Sequence, residues 1–231
     1  MINWLLDPAN WSGPSGIPVR LGEQIGISAI SLLIAAAIAL PVGLWIGHTG
    51  RGATLAVNLA NIGRAIPSFA AIGIVLPFTQ AIDPQLGFKV YPTLVAMVIL
   101  ALPPILVNAY AGVAGVDREL VEAARGLGFR ERQILTGVEV PIALPVIAGG
   151  LRSATVQVIA TATLGAIFGF GGLGTYLVFG VAQRDDGMLL GGVFLVAALA
   201  LAAEGAFALV QRLLTSPGLR LAGSSEGTAA T

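Results

Sequence analysis

Long charge-free apolar runs alternate with short polar breaks along this chain, and the runs have the length of membrane-crossing helices. Crossing the hydrocarbon takes about 20 apolar residues in helical form. The clearest run covers residues 25–47, which hold no charged side chain. A second covers about residues 53–82, its start blurred by Arg64. The third, residues 90–116, is charge-free and long enough to tilt. A fourth, residues 142–168, contains Arg152, and a fifth, residues 187–210, contains Glu204 near its end. Strands of a membrane barrel would be about 10 residues of alternating polarity. The pattern therefore predicts an all-α integral membrane domain over residues 1–214, with about five transmembrane helices and a polar loop at residues 117–139. Beyond it, residues 215–231 are small and polar, and are expected to be disordered. Gly43/Gly47 and Gly187/Gly191 have the spacing that lets two membrane helices approach closely.

Composition removes the soluble alternative. Hydrophobic residues make up 56% of the chain and charged residues 10%, against about 45–50% and about 25% in ordinary soluble domains. So few charges could not cover a soluble surface. The net charge is zero, which gives no electrostatic case for nucleic acid as a partner. Absence of cysteine excludes disulfides and thiol chemistry. The first twenty residues carry Asp7, Pro8, Pro14 and Pro18 with no basic segment before an apolar core, unlike a cleaved signal peptide. Trp4 and Trp11 suit the headgroup interface. Loops after the first, third and fifth runs carry Arg51, Arg118, Arg125, Arg130, Arg132, Arg212 and Arg220, whereas the other side carries Arg20, Lys89 and Arg184. The positive-inside rule then predicts an external N-terminus and a cytoplasmic C-terminus, with the 117–139 loop in the cytoplasm.

That loop is a polar island. Nine charged residues lie from Asp117 to Glu139. Asp117 has the chemistry of an N-cap, and Glu119 would sit in the first turn, where the helix dipole favours an anion. Val116, Leu120, Ala123 and Leu127 recur at helical spacing as one apolar stripe, with Glu119 and Glu122 off it. Gly126 and Gly128 suit a helix stop with left-handed backbone. Residues 130–135 can form a second short helix before Pro141 opens the next crossing. The expectation is a helix–turn–helix lying across the membrane surface.

The island also carries a spaced motif: Glu122-Ala123-Ala124, three residues, Gly128, nine residues, Val138, one residue, Val140-Pro141. It resembles the cytoplasmic signature of permease subunits of ATP-binding-cassette (ABC) importers. Flanking segments at residues 61–67, 102–115, 140–151, 154–164 and 169–174 resemble the osmoprotectant branch, whose solutes are glycine betaine, carnitine, choline and proline. The resemblance covers roughly residues 20–213. Val140 replaces the more usual Leu, a conservative change. It implies a type I ABC importer permease-like fold with no catalytic residues. Glu119, Glu122, Ala123, Ala124, Gly128 and Pro141 would couple the permease to cytoplasmic ATPase subunits. Further partners implied are a second permease copy, identical or closely similar, an extracytoplasmic substrate-binding protein and the bilayer of a prokaryotic cell membrane. The chain's one lysine, Lys89, has no P-loop around it. No cofactor is expected on this chain, and ATP and Mg would be used by the partner ATPase.

Other residues carry weaker signals. Residues 169–174 spell G-x-G-x-x-G, but a dinucleotide fingerprint needs a preceding strand and an acid about 20 residues on. Asp185 and Asp186 are too near. A glycine-rich bend at the outer face fits better, with Gly169, Gly171, Gly172 and Gly174 contributing to an external gate. His48, the sole histidine, excludes a histidine-based metal cluster and reads as an interface residue at the cytoplasmic end of the first crossing. Arg64, Arg152 and Glu204 are ionisable groups in or near apolar runs, where they are costly. Arg64 and Glu204 can snorkel. Arg152 faces the bundle interior, either paired with Glu204 or a backbone carbonyl, or placed on the solute path. A quaternary ammonium ion is held by aromatic cages, and the aromatic residues, 6% of the chain, do not cluster in the runs. A high-affinity cage would then sit on the binding protein, and the permease path would be polar, with Asn108, Arg152, Thr155, Gln157 and Thr163 as candidates.

Two rivals remain at this level. One is an amino-acid permease of the methionine type. The other is an ion-coupled secondary transporter, which would show an inverted repeat and paired intramembrane acids; neither is evident. Topology is directly testable: reporters fused after Thr49, Arg130 and Arg220 should read cytoplasmic, and those after Pro84 and Arg184 external. An external signal at Arg130 would remove the loop from any ATPase.

Overall fold

The helices begin and end where the chain supplies the right terminal residues. In this computed structural model, α1 (Ile2–Leu6) is followed by a 3-10 turn at Pro8–Trp11 that Asp7 caps, accepting from the Ala9 N–H at 2.9 Å. Pro18 lies in the first turn of α2 (Ile17–Thr49), where no N–H is needed. The helix stops at Gly50, left-handed at φ 69, whose N–H donates to the Ile46 carbonyl at 2.8 Å. Then come α3 (Ala53–Ala65), α4 (Ser68–Ile82), the single turn α5 (Leu86–Lys89) and α6 (Tyr91–Ala114). Next are α7 (Arg118–Gly126), α8 (Glu131–Ile134), a π-helical turn Leu135–Glu139 and α9 (Val140–Gly165). A 3-10 turn Ala166–Phe168, α10 (Gly174–Gln183) and α11 (Asp186–Leu214) complete the fold. The structure describes residues 1–214; the 215–231 tail with Arg220, and the side chains of Leu55, Leu59, Ile62, Arg64, Leu213 and Leu214, lie outside the described residues.

Among the described residues, four stretches are long and apolar enough to cross a membrane: Ile17–Thr49, Leu86–Ala114, Glu131–Phe168 and Asp186–Arg212. The expected second crossing is not one helix. It breaks at Ile66 and Pro67, both extended, into α3 and α4. Pro67 disfavours helical backbone at Ile66. The two halves still run the length of α6: Gly63 lies against Pro103, and Ala71 and Ile72 pack with Ala96 and Leu100. The first crossing begins earlier than residue 25, at Ile17, and α10 was not anticipated at all.

Helix α6 is the centre, with α2 and α9 packed along it. The middle of the face that α2 presents is small or polar, with Gln24, Ser28, Ser31, Ala35, Ala39 and Gly43 buried, and Ile17, Ile27 and Ile46 add large buried side chains toward its ends. Lipid tails are as apolar as leucine, so membrane helices associate through close van der Waals fit rather than by fleeing water. Ala35 and Ala39 meet Met97, Ala101 and Ile105 of α6 and Ala154, Val158 and Ala162 of α9 in one core. A Cβ on Gly43 would sit 2.7 Å from the Ala109 Cβ, and one on Gly47 2.6 Å from the Val113 Cβ. That glycine pair therefore marks a real contact. Gly187 and Gly191 do so too, against Trp4.

This packing yields a contrast. Gly47→Ala should destabilise the detergent-solubilised protein by about 1–3 kcal/mol through overpacking. Gly26→Ala, with open space around its Cβ, should be neutral or stabilise by up to about 1 kcal/mol. Equal melting midpoints for the two variants would mean that α2 and α6 are not held at contact distance.

Candidate functional site

The polar island closes one end of the bundle. Asp117 caps α7 as its chemistry predicts, its carboxylate accepting from the Glu119 N–H at 2.9 Å. Gly128 is left-handed at φ 87 and makes the turn, whereas Gly126 is simply the last helical residue. Glu119, Glu122 and Ala123 are exposed and Ala124 is buried. Two expectations need correction. Of the apolar stripe, only Val116 is buried; Leu120 and Leu127 are 52% and 79% exposed, and Ala123 also faces outward. Periodicity located the stripe but not the body it serves, since Ala124 and the half-buried Val121 are what anchor α7. The second helix does not lie across the surface either. It runs from α8 through the π-helical turn into α9 as one Glu131–Phe168 stretch. Pro141 stands in the first turn of α9, exposed, and does not break it.

A charge network joins this loop to α2. Arg125 grips Glu131 with two hydrogen bonds, Nε to Oε1 at 2.8 Å and Nη2 to Oε2 at 2.9 Å. That bonding raises the Arg125 guanidinium above its ordinary value. Both side chains are solvent-exposed, so their pairing contributes little stability. His48, at the end of α2, places Nε2 3.2 Å from Glu131 Oε2 and Nδ1 2.6 Å from Glu139 Oε2. Glu139 is only 4% exposed. Sequence spacing gave no signal for this network, because His48 and Glu139 are 91 positions apart. A cleft of about 400 Å³ opens beside it, between the end of α2 and α7.

At the opposite end the glycine-rich segment is a tight loop, with Gly169, Gly171 and Gly172 at φ 80, 103 and 65. Gly174 opens α10, close against the Thr163 carbonyl. The loop is latched to α2. The Gly172 N–H donates to Glu23 Oε2 at 2.8 Å and the Leu173 N–H to Gln24 Oε1 at 3.2 Å. Gln24, fully buried, donates in turn to the Ile159 carbonyl at 2.9 Å and to Thr163 Oγ1 at 3.4 Å. Arg20 pairs with Glu23 at 2.9 Å. Neither Glu23 nor Gln24 was singled out from sequence, although a glutamine within an apolar run was a visible cue.

The five path candidates do not converge. Asn108 donates to the Pro104 carbonyl at 2.7 Å and Thr155 to the Leu151 carbonyl at 2.8 Å, each within its own helix. Thr163 belongs to the latch, and Gln157 is half-buried on α9. Arg152 does meet Glu204, its Nε 2.7 Å from Oε1 and its Nη2 bonded to the same oxygen, and so ties α9 to α11. The Gln211 Nε2 donates to the Pro145 carbonyl at 2.9 Å across the same pair of helices. Among the described residues no cluster of His, Cys, Asp or Glu has metal-site geometry.

Residues 39–217 match the family described as "Binding-protein-dependent transport system inner membrane component". The chain is 33% identical over 202 residues to the carnitine transport permease protein OpuCB of Listeria monocytogenes, covering 87% of this chain and 89% of that protein. It is 31% identical over 201 residues to the glycine betaine/carnitine/choline transport system permease protein OpuCB of Bacillus subtilis (strain 168), with coverages of 87% and 89%. Its fold is similar to a chain of the MetNI methionine ABC transporter, at a TM-score of 0.80 and 21% identity, covering 91% of this chain and 99% of that one.

The latch has a measurable signature. Gln24→Leu leaves the Leu173 N–H buried without an acceptor, at a cost of about 1–3 kcal/mol. Amide exchange at Gly172 and Leu173 should rise by about tenfold or more, while exchange over residues 118–126 stays unchanged. Protection at Leu173 equal to wild type would show that Gln24 does not hold the loop.

Proposed function

The chain belongs to the family of binding-protein-dependent transport system inner membrane components, and from that membership we propose that it is the permease subunit of an ABC importer for compatible solutes of the glycine betaine, carnitine and choline kind. It is a multi-pass protein of the prokaryotic cell membrane, its N-terminus outside and the loop end in the cytoplasm. ATP and Mg are handled by a separate ATPase subunit. Solute is delivered by an extracytoplasmic binding protein.

The observation that carries the reading is the placement of the Glu122-Ala123-Ala124…Gly128 motif. It stands on a short helix at the end of the bundle, with Glu119, Glu122, Ala123, Leu120 and Leu127 turned outward. An apolar stripe that the chain does not cover itself suits a groove on an ATPase. Motion of α7 passes through the Gly128 turn into α8, and the unbroken Glu131–Phe168 stretch carries it to the other end of the bundle. There α9 holds the Gly169–Gly174 gate through Thr163 and Gln24. Pro141, in the first turn of α9, stiffens the base of that lever by fixing φ. Asn108, Arg152, Thr155 and Gln157 provide polar positions along the interior of the crossings.

A second permease copy, identical or closely similar, completes the path. The most apolar window of α11 has none of its residues buried inside the chain, which leaves its surface for lipid and a neighbouring subunit. Relatives that carry carnitine, glycine betaine and choline favour quaternary ammonium solutes over methionine, and the likeness to MetNI is one of fold.

Two measurements decide this. Proteoliposomes holding the permease, its ATPase and its binding protein should take up labelled glycine betaine, carnitine or choline and not methionine; the reverse preference would overturn the substrate class. Glu122→Ala and Gly128→Ala should abolish most solute-stimulated ATP hydrolysis without lowering membrane insertion. Space around Gly128 is open, so its substitution costs only backbone strain, about 1–2 kcal/mol. Normal stimulation in both variants would reduce the island to a solvated loop.

A further inference from the structure

His48 is the chain's only histidine; its Nδ1 is hydrogen-bonded to one carboxylate and its Nε2 lies in ion-pair contact with another, each on a separate element. Nδ1 is 2.6 Å from Glu139 in the π-helical turn, and Nε2 is 3.2 Å from Glu131 at the start of α8. A neutral imidazole has one N–H and one lone pair. One of the two carboxylates would then face a lone pair, and only the imidazolium donates to both. Glu139 sharpens the requirement, because a carboxylate 4% exposed is costly unless paired and hydrogen-bonded. Glu131 is in turn gripped by Arg125 near the end of α7. π-Helical turns interrupt helices mostly at functional sites, and this one sits where the loop becomes a crossing helix.

The charged surroundings are consistent. Facing His48 or lining the same cleft are Tyr110 from α6, Arg118, Glu122 and Arg125 from α7, Glu131 from α8 and Glu139 from the π-helical turn. Three carboxylates stand against two guanidinium groups, and an imidazolium makes the cluster neutral.

We infer that protonated His48 is a positioning residue for coupling: it clamps the cytoplasmic end of α2 to the base of α9 and, through Glu131 and Arg125, to α7. Displacement of α7 by an ATPase is then passed to α2 as well as to α9. Because the start of α2 holds the glycine loop through Glu23 and Gln24, the clamp gives the loop end a second line to the gate. Loss of the imidazole proton removes one donor, opens one side of the clamp and uncouples hydrolysis from transport. The inference rests on the coupling reading of the loop given above.

The test has two arms, both on the permease assembled with its ATPase in lipid nanodiscs or proteoliposomes. In the first, 15N-histidine labelling of the permease alone gives one pair of ring resonances, since there is one histidine. Both nitrogens should show the shifts of N–H donors at pH 7, and Glu139→Gln should move the Nδ1 resonance. A neutral tautomer at pH 7 in the wild type overturns the clamp. In the second, solute-stimulated hydrolysis relative to unstimulated hydrolysis is measured against pH on the ATPase side. The wild-type ratio should fall by about tenfold as the ring loses its proton, the order expected for losing a hydrogen bond between charged groups. His48→Gln should be low at every pH, and His48→Arg should hold the ratio flat. A His48→Gln profile equal to wild type overturns the inference. If the wild-type complex is stimulated by no compatible solute, the functional reading falls, and the ring resonances still decide the clamp.

Discussion

The fold depends on how closely α2 can lie against α6 and α9. In lipid there is no water for apolar side chains to escape, so helices stay together only where their surfaces fit at short range. Ser31, Ala35, Ala39 and Gly43 give α2 a shallow face, and Ala101, Ala109, Ala154 and Ala162 give its neighbours shallow faces in return. Longer side chains point outward from the same helix, among them Ile30, Leu33, Ile38 and Trp45. Helix α2 is thereby fixed along most of its length, and each end is used. Its start holds the glycine-rich loop through Glu23 and Gln24, and its last turn holds the polar island through His48. A single rigid element thus touches both working ends of the molecule.

The two ends use polar groups differently. At the loop end the charges are mostly exposed, as in Arg125 and Glu131, and suit a surface that meets water and a partner. Glu139 is the exception, and His48 is the partner that makes its burial tolerable. At the glycine-loop end the charged Glu23 is joined by an uncharged buried amide, Gln24, which satisfies donors and acceptors on two other segments at once. Such a fully connected group specifies a unique geometry, because any shift of the loop leaves a polar atom unpaired in an apolar setting.

Local chemistry was legible in the sequence, and of the distant pairs the one between Arg152 and Glu204 was legible too, as two costly ionisable groups in apolar runs. Asp117 capped α7, Gly128 turned left-handed, and Arg152 found Glu204, each from a rule that reads a residue type in its apolar or helical setting. The crossings were visible as apolar runs, yet the break at Ile66 was not drawn even though Pro67 marked it. The reason is that hydropathy is blind to backbone direction. Pro141 opens α9 as read, but the short second helix was not seen to be continuous with it, because a proline in a first turn does not stop a helix. The stripe of Leu120, Ala123 and Leu127 was found by period, but a period cannot say whether an apolar face seeks its own chain or another. His48 and Glu139 lie on separate elements, and no local pattern joins them.

Arg152 stands near the middle of α9, and its partner is on α11, which is synthesised later. During biogenesis α9 therefore enters the bilayer with an uncompensated guanidinium, which costs about 2.5–3.5 kcal/mol at a helix centre on the insertion scale. Relief comes only when α11 arrives and Glu204 closes the pair. A chain cut short before Glu204 keeps an orphaned charge in its fourth crossing, the sort of defect that membrane proteases and chaperones can detect.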